Sequence, residues 1–398
     1  MTWQRGFGVL WAANALSNLA DGLAFIALPL LAASLTSDAR LIAGLPLGYA
    51  VVRMLFALPI GVWVDRFERR GLLSAANILR GLALLALASC FQFDGANLLL
   101  LYLAMALISV LEGICDSAAV AILPQLELPG NLDRANSKIA ATQLLADEFA
   151  GPPLGGVLFA AAAAVPLYSI GGLWTAAGLI ALALPRGRAR SIAAGERSYL
   201  WTEAREGISW LAKHRVVGAL ALIGGLASVG YMLPFSILVL FARERLGLDS
   251  AGYGMLLAFS AVGGLLGSAI APKLRRVLGF KKLIVSSLAL GALSLGVLSF
   301  AASAILAGIM LALYIMHAVI WNICSLSLRQ QLVPENLMGR VSAAGKVLGL
   351  LGLALGAAAG GLLGTISLAL PVAAGAVVFA FCALQALSKL ERATGYSR

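Results

Sequence analysis

Residues Gln125–Gly156 read QLELPGNLDRANSKIAATQLLADEFAGPPLGG, and the chain carries this stretch twice. At an offset of 205 positions, Gln330–Gly361 reads QQLVPENLMGRVSAAGKVLGLLGLALGAAAGG. Nine of the 32 aligned positions match without a gap. The matches fall where the backbone is special. Pro129-x-Asn131-Leu132 answers Pro334-x-Asn336-Leu337, a loop entering a helix. Gly151-x-x-x-Gly155-Gly156 answers Gly356-x-x-x-Gly360-Gly361, a smooth helix face on which another helix can pack closely. Because the loop matches as well as the helix, the likeness is more than that of two Gly/Ala-rich segments. A chain of 398 residues repeating at 205 is two equal halves. In an apolar chain such a repeat points to secondary transport, with the site between the halves.

Composition sets the class. Hydrophobic residues make up 61% of the chain and charged residues 12%, against roughly 25% charged in soluble domains. Apolar runs long enough to span a bilayer recur throughout, which predicts an all-α, polytopic membrane protein. The first run is too long for a signal peptide and reads as a retained first helix. The net charge of +11 invites a nucleic-acid partner, but the placement of the charges rejects it. Of 29 Lys/Arg, 23 fall in the termini and even-numbered loops; three (Arg40, Arg243, Arg245) fall in odd-numbered loops and three (Arg53, Arg80, Lys346) inside helices. This asymmetry predicts an inner-membrane protein with both termini in the cytoplasm. The four cysteines (Cys90, Cys115, Cys324, Cys382) lie in apolar runs without metal or redox spacing and read as small core residues.

Twelve helices are expected: residues 1–185 form one six-helix bundle, 186–215 a cytoplasmic linker and 216–398 a second bundle. On helix 1 (about Phe7–Leu35), Asn14, Asn18 and Asp21 share one face, with Ser17 beside them. Such a polar stripe faces the bundle interior or a water-filled cavity. Helix 2 (about Leu41–Val64) carries Arg53 and helix 3 (about Leu72–Phe91) carries Arg80. Helix 4 (about Leu98–Leu123) carries Glu112 and Asp116 one turn apart, so two carboxylates share a face and an Arg such as Arg53 or Arg80 can neutralise one of them. Carboxylates in low dielectric hold protons more readily than in water, the property a proton carrier needs; the competing reading is a structural ion pair. On helix 5 (about Ala135–Ala161), Gln143 and Asp147 point toward the cavity and Glu148 points about 100° away. On helix 10 (about Ile305–Leu328), His317, Trp321 and Ser325 share a face, and at offset 205 His317 falls opposite Glu112. Tyr231, Met232, Phe235, Tyr314 and Trp321 are expected as adaptable cavity walls. Lys346 is read as snorkelling to the surface.

Between helices 2 and 3 stands Gly61-Val-Trp-Val-Asp65-Arg66-Phe-Glu68-Arg69-Arg70. This resembles the loop 2–3 signature of the major facilitator superfamily: Gly, three residues, Asp-Arg, then a basic pair. Gly61 would permit close helix approach, Asp65 would pair with a cation or a helix N-terminus, and Arg66, Arg69 and Arg70 would stay on the cytoplasmic surface. Glu68 stands where the family usually has Gly, which predicts a different turn. Residues 267–276, with Ala271 at the Asp65 position, read as a worn copy of the signature. Asp147 through Gly156, with Pro152-Pro153, partially resembles the helix 5 signature of superfamily exporters; Asp147 replaces its first Gly. The resemblance covers nearly the whole chain and is to the exporter branch holding enterobactin-exporter-like and macrolide-efflux-like proteins.

The resemblance implies a monomeric carrier working by alternating access. It binds a small molecule and lipids but no nucleic acid, and uses a proton gradient rather than a cofactor. Drug or natural-product antiport is the first expectation. Export of one metabolite such as a siderophore, with Arg53, Arg80 and Lys346 as anion ligands, is the second; uncoupled lysolipid movement is the third. The sequence contains no metal cluster, no Ser/His/Asp arrangement and no phosphate-cradling loop, so no enzyme or ATPase activity is expected. In the linker, Leu200, Trp201, Ile208 and Leu211 among charges predict an amphipathic helix on anionic lipid, with a solvated His214.

Overall fold

The structure is a computed structural model. It describes residues 2–93, 95, 97–126, 131–186, 208–334 and 337–390. The linker residues 187–207, most of the first repeat's loop and Glu335–Asn336 of the second lie outside the described residues, as does most of the expected amphipathic segment.

The described chain is helical throughout. In order it forms α1 (Thr2–Leu35), α2 (Ala39–Arg66), α3 (Arg69–Gln92), α4 (Leu98–Leu126), α5 (Leu132–Leu144, continued through Leu145–Ala150 and Gly151–Ala161) and α6 (Ala164–Ala181). The second half forms α7 (Arg215–Phe235, extended by short turns to Arg245), α8 and α9 (residues 250–278 and 280–298), α10 (Ala304–Leu332), α11 (Met338–Gly364) and α12 (Ala369–Lys389). Among the described residues, ten continuous helices are long and apolar enough to cross a membrane. One of them, Ser250–Leu298, breaks at Gly279, whose φ of 71° only glycine adopts readily. Counting its two arms and the segmented α5 gives the twelve helices the sequence predicts. Large apolar side chains such as Leu103, Leu293 and Leu355 stand exposed, as lipid-facing surfaces require.

Several local expectations change. Residues 267–276, the worn copy of the signature, lie within a helix that runs on to residue 278, and the Arg275 guanidinium lies 5.3 Å from the Phe280 ring centroid. The break falls at Gly279. His214 is not simply solvated. It starts α7, its Nδ1 accepting from the Val217 N–H at 3.2 Å, and its ring stacks on Trp210 at 4.7 Å. Cys90 is exposed, while Cys115, Cys324 and Cys382 are buried. Glu68 needs no glycine-like turn, because its backbone is extended (φ −62°, ψ 117°). At the α1–α2 corner, Asp38 takes the Arg40 N–H and guanidinium, which holds its carboxyl below the usual range.

The chain divides into two compact units. The first comprises residues 1–37, 51–193 and 249–258; the second comprises 38–50, 194–248 and 259–398. In the first unit α3 packs on α4 and α6, and α1 packs on α5 and α6. Close approach requires glycine here. A Cβ on Gly151 would overlap the backbone of Gly22, and one on Gly22 would overlap Ala146 and Asp147. Gly155 lies against Leu23, and Gly156 against Ser250 and Gly254. In the second unit α7 packs on α11 and α12. Gly356 and Gly360 lie against the α7 carbonyls of Val229 and Leu233, and Gly361 lies against Arg40 and Ala43. The repeated glycines thus occupy the same structural role in each unit.

The prolines of α5 account for its segmentation. Pro152 and Pro153 have no N–H, so the carbonyls one turn earlier lose their helical donors. The chain widens into a π stretch over Leu145–Ala150, and the Gly151 N–H reaches back five residues to the Ala146 carbonyl. The wide turn lies where α5 meets Gly22 of α1.

Candidate functional site

The first unit contains a ladder of alternating charges on apolar helices. Trp174 Nε1 of α6 donates to Asp21 Oδ1 of α1 at 3.1 Å. Asp21 also accepts from Arg80 of α3. Arg80 reaches Glu112 of α4 at 3.6 Å, and Glu112 accepts from Arg53 of α2 at 3.1 Å. Arg53 in turn pairs with Asp116, one turn beyond Glu112. Glu112 therefore bridges two arginines. The formal charges run minus, plus, minus, plus, minus, for a net of minus one.

The arginines are the buried members of the ladder. The Arg80 side chain is 1% exposed and Arg53 13%, against 24% for Glu112, 25% for Asp21 and 59% for Asp116. Around Arg80 the protein supplies several partners, while its buried Nε has none among the described residues. The guanidinium of Arg80 stacks on the Trp174 ring at 4.1 Å, and its NH1 donates to Ser17 Oγ at 3.4 Å. Ser17 Oγ donates to Asn77 Oδ1 at 3.1 Å, and Asn77 Nδ2 is held by the Leu73 carbonyl. A charge buried among helices is tolerated only when paired and hydrogen-bonded in this way.

Of the site residues expected from sequence, Asp21, Arg53, Glu112 and Asp116 meet in this ladder. Asn14 and Asn18 bond each other at 2.8 Å beside it on α1. Asp147 is half-buried in the π stretch, and Gln143 is exposed; the Glu148 side chain lies outside the described residues. His317 belongs to the second unit. Arg80, expected as a possible counter-charge or an anion ligand, joins Asp21 to Glu112 in the ladder. Trp174 had no signal at all, since one tryptophan in an apolar helix looks like core.

The loop 2–3 residues do more than remain on the surface. Arg69 NH1 donates to the Ala121 carbonyl of α4 at 3.1 Å, and Arg70 NH1 donates to the Leu184 carbonyl just after α6 at 2.9 Å. The basic pair thus satisfies carbonyls on two neighbouring helices. Asp65 and Arg66 are exposed. A Cβ on Gly61 would meet no described atom within 4 Å, so this glycine does not serve the expected close approach.

The second unit contains a cavity of about 570 Å³ between α7, α10, α11 and α12. Tyr231, Tyr314, His317, Trp321 and Phe379 form its aromatic wall. Tyr231 stacks on Phe235 at 4.4 Å, and His317 meets the Phe379 ring edge-on at 4.8 Å. His317 Nδ1 bonds the Tyr314 carbonyl, and a Cβ on Gly291 would overlap the opposite edge of its ring. Sequence reasoning missed Arg329 and Phe379, which lie on the same faces of α10 and α12; the helical spacing from Trp321 through Ser325 was the available signal for Arg329.

A multi-pass helical protein with ions held inside its spans and an apolar, ligand-sized cavity is a membrane transporter of small molecules rather than an enzyme. A family model for the Major Facilitator Superfamily matches residues 10–357, and the chain belongs to this superfamily. It is 25% identical over 360 residues to the enterobactin exporter EntS of Salmonella choleraesuis (strain SC-B67), covering 88% of this chain and 84% of that protein. A crystal structure of a bacterial homologue of the iron transporter ferroportin in its inward-facing state aligns with a TM-score of 0.76 at 19% identity. That alignment covers 98% of this chain and all of the other. A bacterial homologue of the human lysosomal transporter spinster aligns at 0.71 and 15% identity, covering 98% of each chain. At these identities the solved structures speak for the fold alone.

Proposed function

We propose that the protein is a proton-coupled exporter of a lipophilic natural product, a siderophore or similar aromatic compound, working by alternating access from a bacterial inner membrane. The observation that carries the coupling is Glu112 shared between Arg53 and Arg80. The ladder has three carboxylates and two guanidiniums, so one proton makes it neutral. Protonating Glu112 would loosen both arginines together and leave Asp21–Arg80 and Arg53–Asp116 as separate pairs. A single proton event thereby changes contacts among α1, α2, α3 and α4, the kind of discrete rearrangement a carrier cycle requires.

The ladder also bears on the cargo. Its acids already have arginine partners, which weakens the expectation that they attract a cationic drug. The likeness to an enterobactin exporter supports the natural-product reading and an outward direction. The test uses purified full-length protein in proteoliposomes containing a pH-sensitive dye. Enterobactin and a panel of aromatic antibiotics are added, and proton movement is followed. The proposal expects compound-dependent proton movement in the wild type and none in Glu112→Gln inserted to the same level. Equal proton movement in the two proteins would refute the coupling assignment.

A further inference from the structure

The cavity of the second unit has a polarity that the ladder does not explain. Tyr314 is 1% exposed, lines this cavity, and its hydroxyl has no hydrogen-bond partner among the described residues. A buried phenol left so bears an unrepaid desolvation cost, and a ligand acceptor removes it. Arg329 is the one charged side chain in the described lining, and its buried Nε likewise has no partner among the described residues. Among the described residues no carboxylate lines the cavity. Between these groups Tyr231 and Trp321 offer ring faces, and Asn322 and Ser325 offer polar contacts.

The order along α10 orients a ligand. Tyr314 and Arg329 are separated by about 22 Å of helix rise, with Trp321 roughly midway. The Arg329 NH1 lies 3.6 Å from where a Cβ on Gly345 would stand, so the guanidinium borders the α11 side of the cavity. An aromatic body against Trp321 and Tyr231 would then present an oxygen to the Tyr314 hydroxyl at one end and an anionic group to Arg329 at the other. We infer that this cavity is the cargo site and that it selects oxygen-bearing aromatic anions over aromatic cations, with Tyr314 and Arg329 as the selecting groups. This inference rests on the reading of the chain as an exporter, but it is independent of proton coupling.

Fluorescein and rhodamine 123 provide a matched test, since they share a xanthene core and carry opposite charge. Full-length protein in lipid nanodiscs is titrated against each dye and binding is read by fluorescence anisotropy, without any gradient. Fluorescein is expected to bind at least tenfold more tightly than rhodamine 123. Arg329→Gln should remove that preference, and Tyr314→Phe, which keeps the ring, should weaken fluorescein about tenfold while leaving rhodamine 123 unchanged. Thermal melting of each variant without dye checks that the fold survives, and Arg329→Lys should restore part of the preference. Equal or tighter binding of rhodamine 123, no binding of either dye, or fluorescein binding unchanged in both variants would overturn the assignment. The binding readout uses no proton gradient, so failed coupling and a failed cargo site give different results.

Discussion

Arg80 illustrates how much one residue decides. It is almost fully buried, stacked on Trp174 and shared between Asp21 and Glu112. Replacing it with Gln leaves Asp21 without its cation and Glu112 with Arg53 alone, and breaking a buried pair from one side costs about 3–5 kcal/mol. Arg80→Gln should therefore lower the melting temperature of the purified protein markedly, and adding Asp21→Asn should recover a good part of the loss. A single variant as stable as the wild type would show that the Arg80 charge is not needed to hold the helices. The sequence made this residue visible as a cation inside an apolar helix, but not its partner. Arg53 and Arg80 were each open to Glu112 or Asp116, and only the packing of the helices selects among these pairings. Trp174 was invisible for a related reason: its role is to cover a guanidinium contributed by another helix.

At the scale of the element, the paired glycine motifs were the most legible feature. Spacing alone placed Gly151, Gly155 and Gly156 on one face, and the structure shows what each glycine admits. Gly151→Val would force α5 away from Gly22 and should destabilise the protein by about 1–3 kcal/mol, as overpacking does. Gly172→Ala on α6, where a Cβ meets no described atom within 4 Å, should be neutral in the same melting experiment. If both substitutions cost the same, the close α1–α5 contact is not what the glycines provide. The loop 2–3 arginines were legible as a motif but not as bonds. A carbonyl partner on α4 or beyond α6 has no sequence signature, since every residue carries one. Residues 267–276 keep the signature's charges on a continuing helix, and the positive-φ glycine that breaks it, Gly279, lies beyond them.

For the whole molecule, composition and the repeat gave the membrane class and the twelve-helix order, and the charge asymmetry gives an orientation to test. In a variant whose exposed Cys90 is replaced, Ser37→Cys should react with an impermeant maleimide from outside intact cells, and Ser388→Cys only after permeabilisation. The reverse pattern would invert the topology. The chemistry of the cargo was less legible, because acids inside helices suggested a cationic substrate until their arginine partners were seen. The most direct test of the central claim compares two modes of transport in Glu112→Gln. Proteoliposomes carrying the transported compound would be assayed for accumulation driven by a pH gradient and for exchange against the same compound without one. Proton coupling through Glu112 predicts that accumulation is lost while exchange persists at near wild-type rate. Gradient-driven accumulation intact in Glu112→Gln would contradict the account.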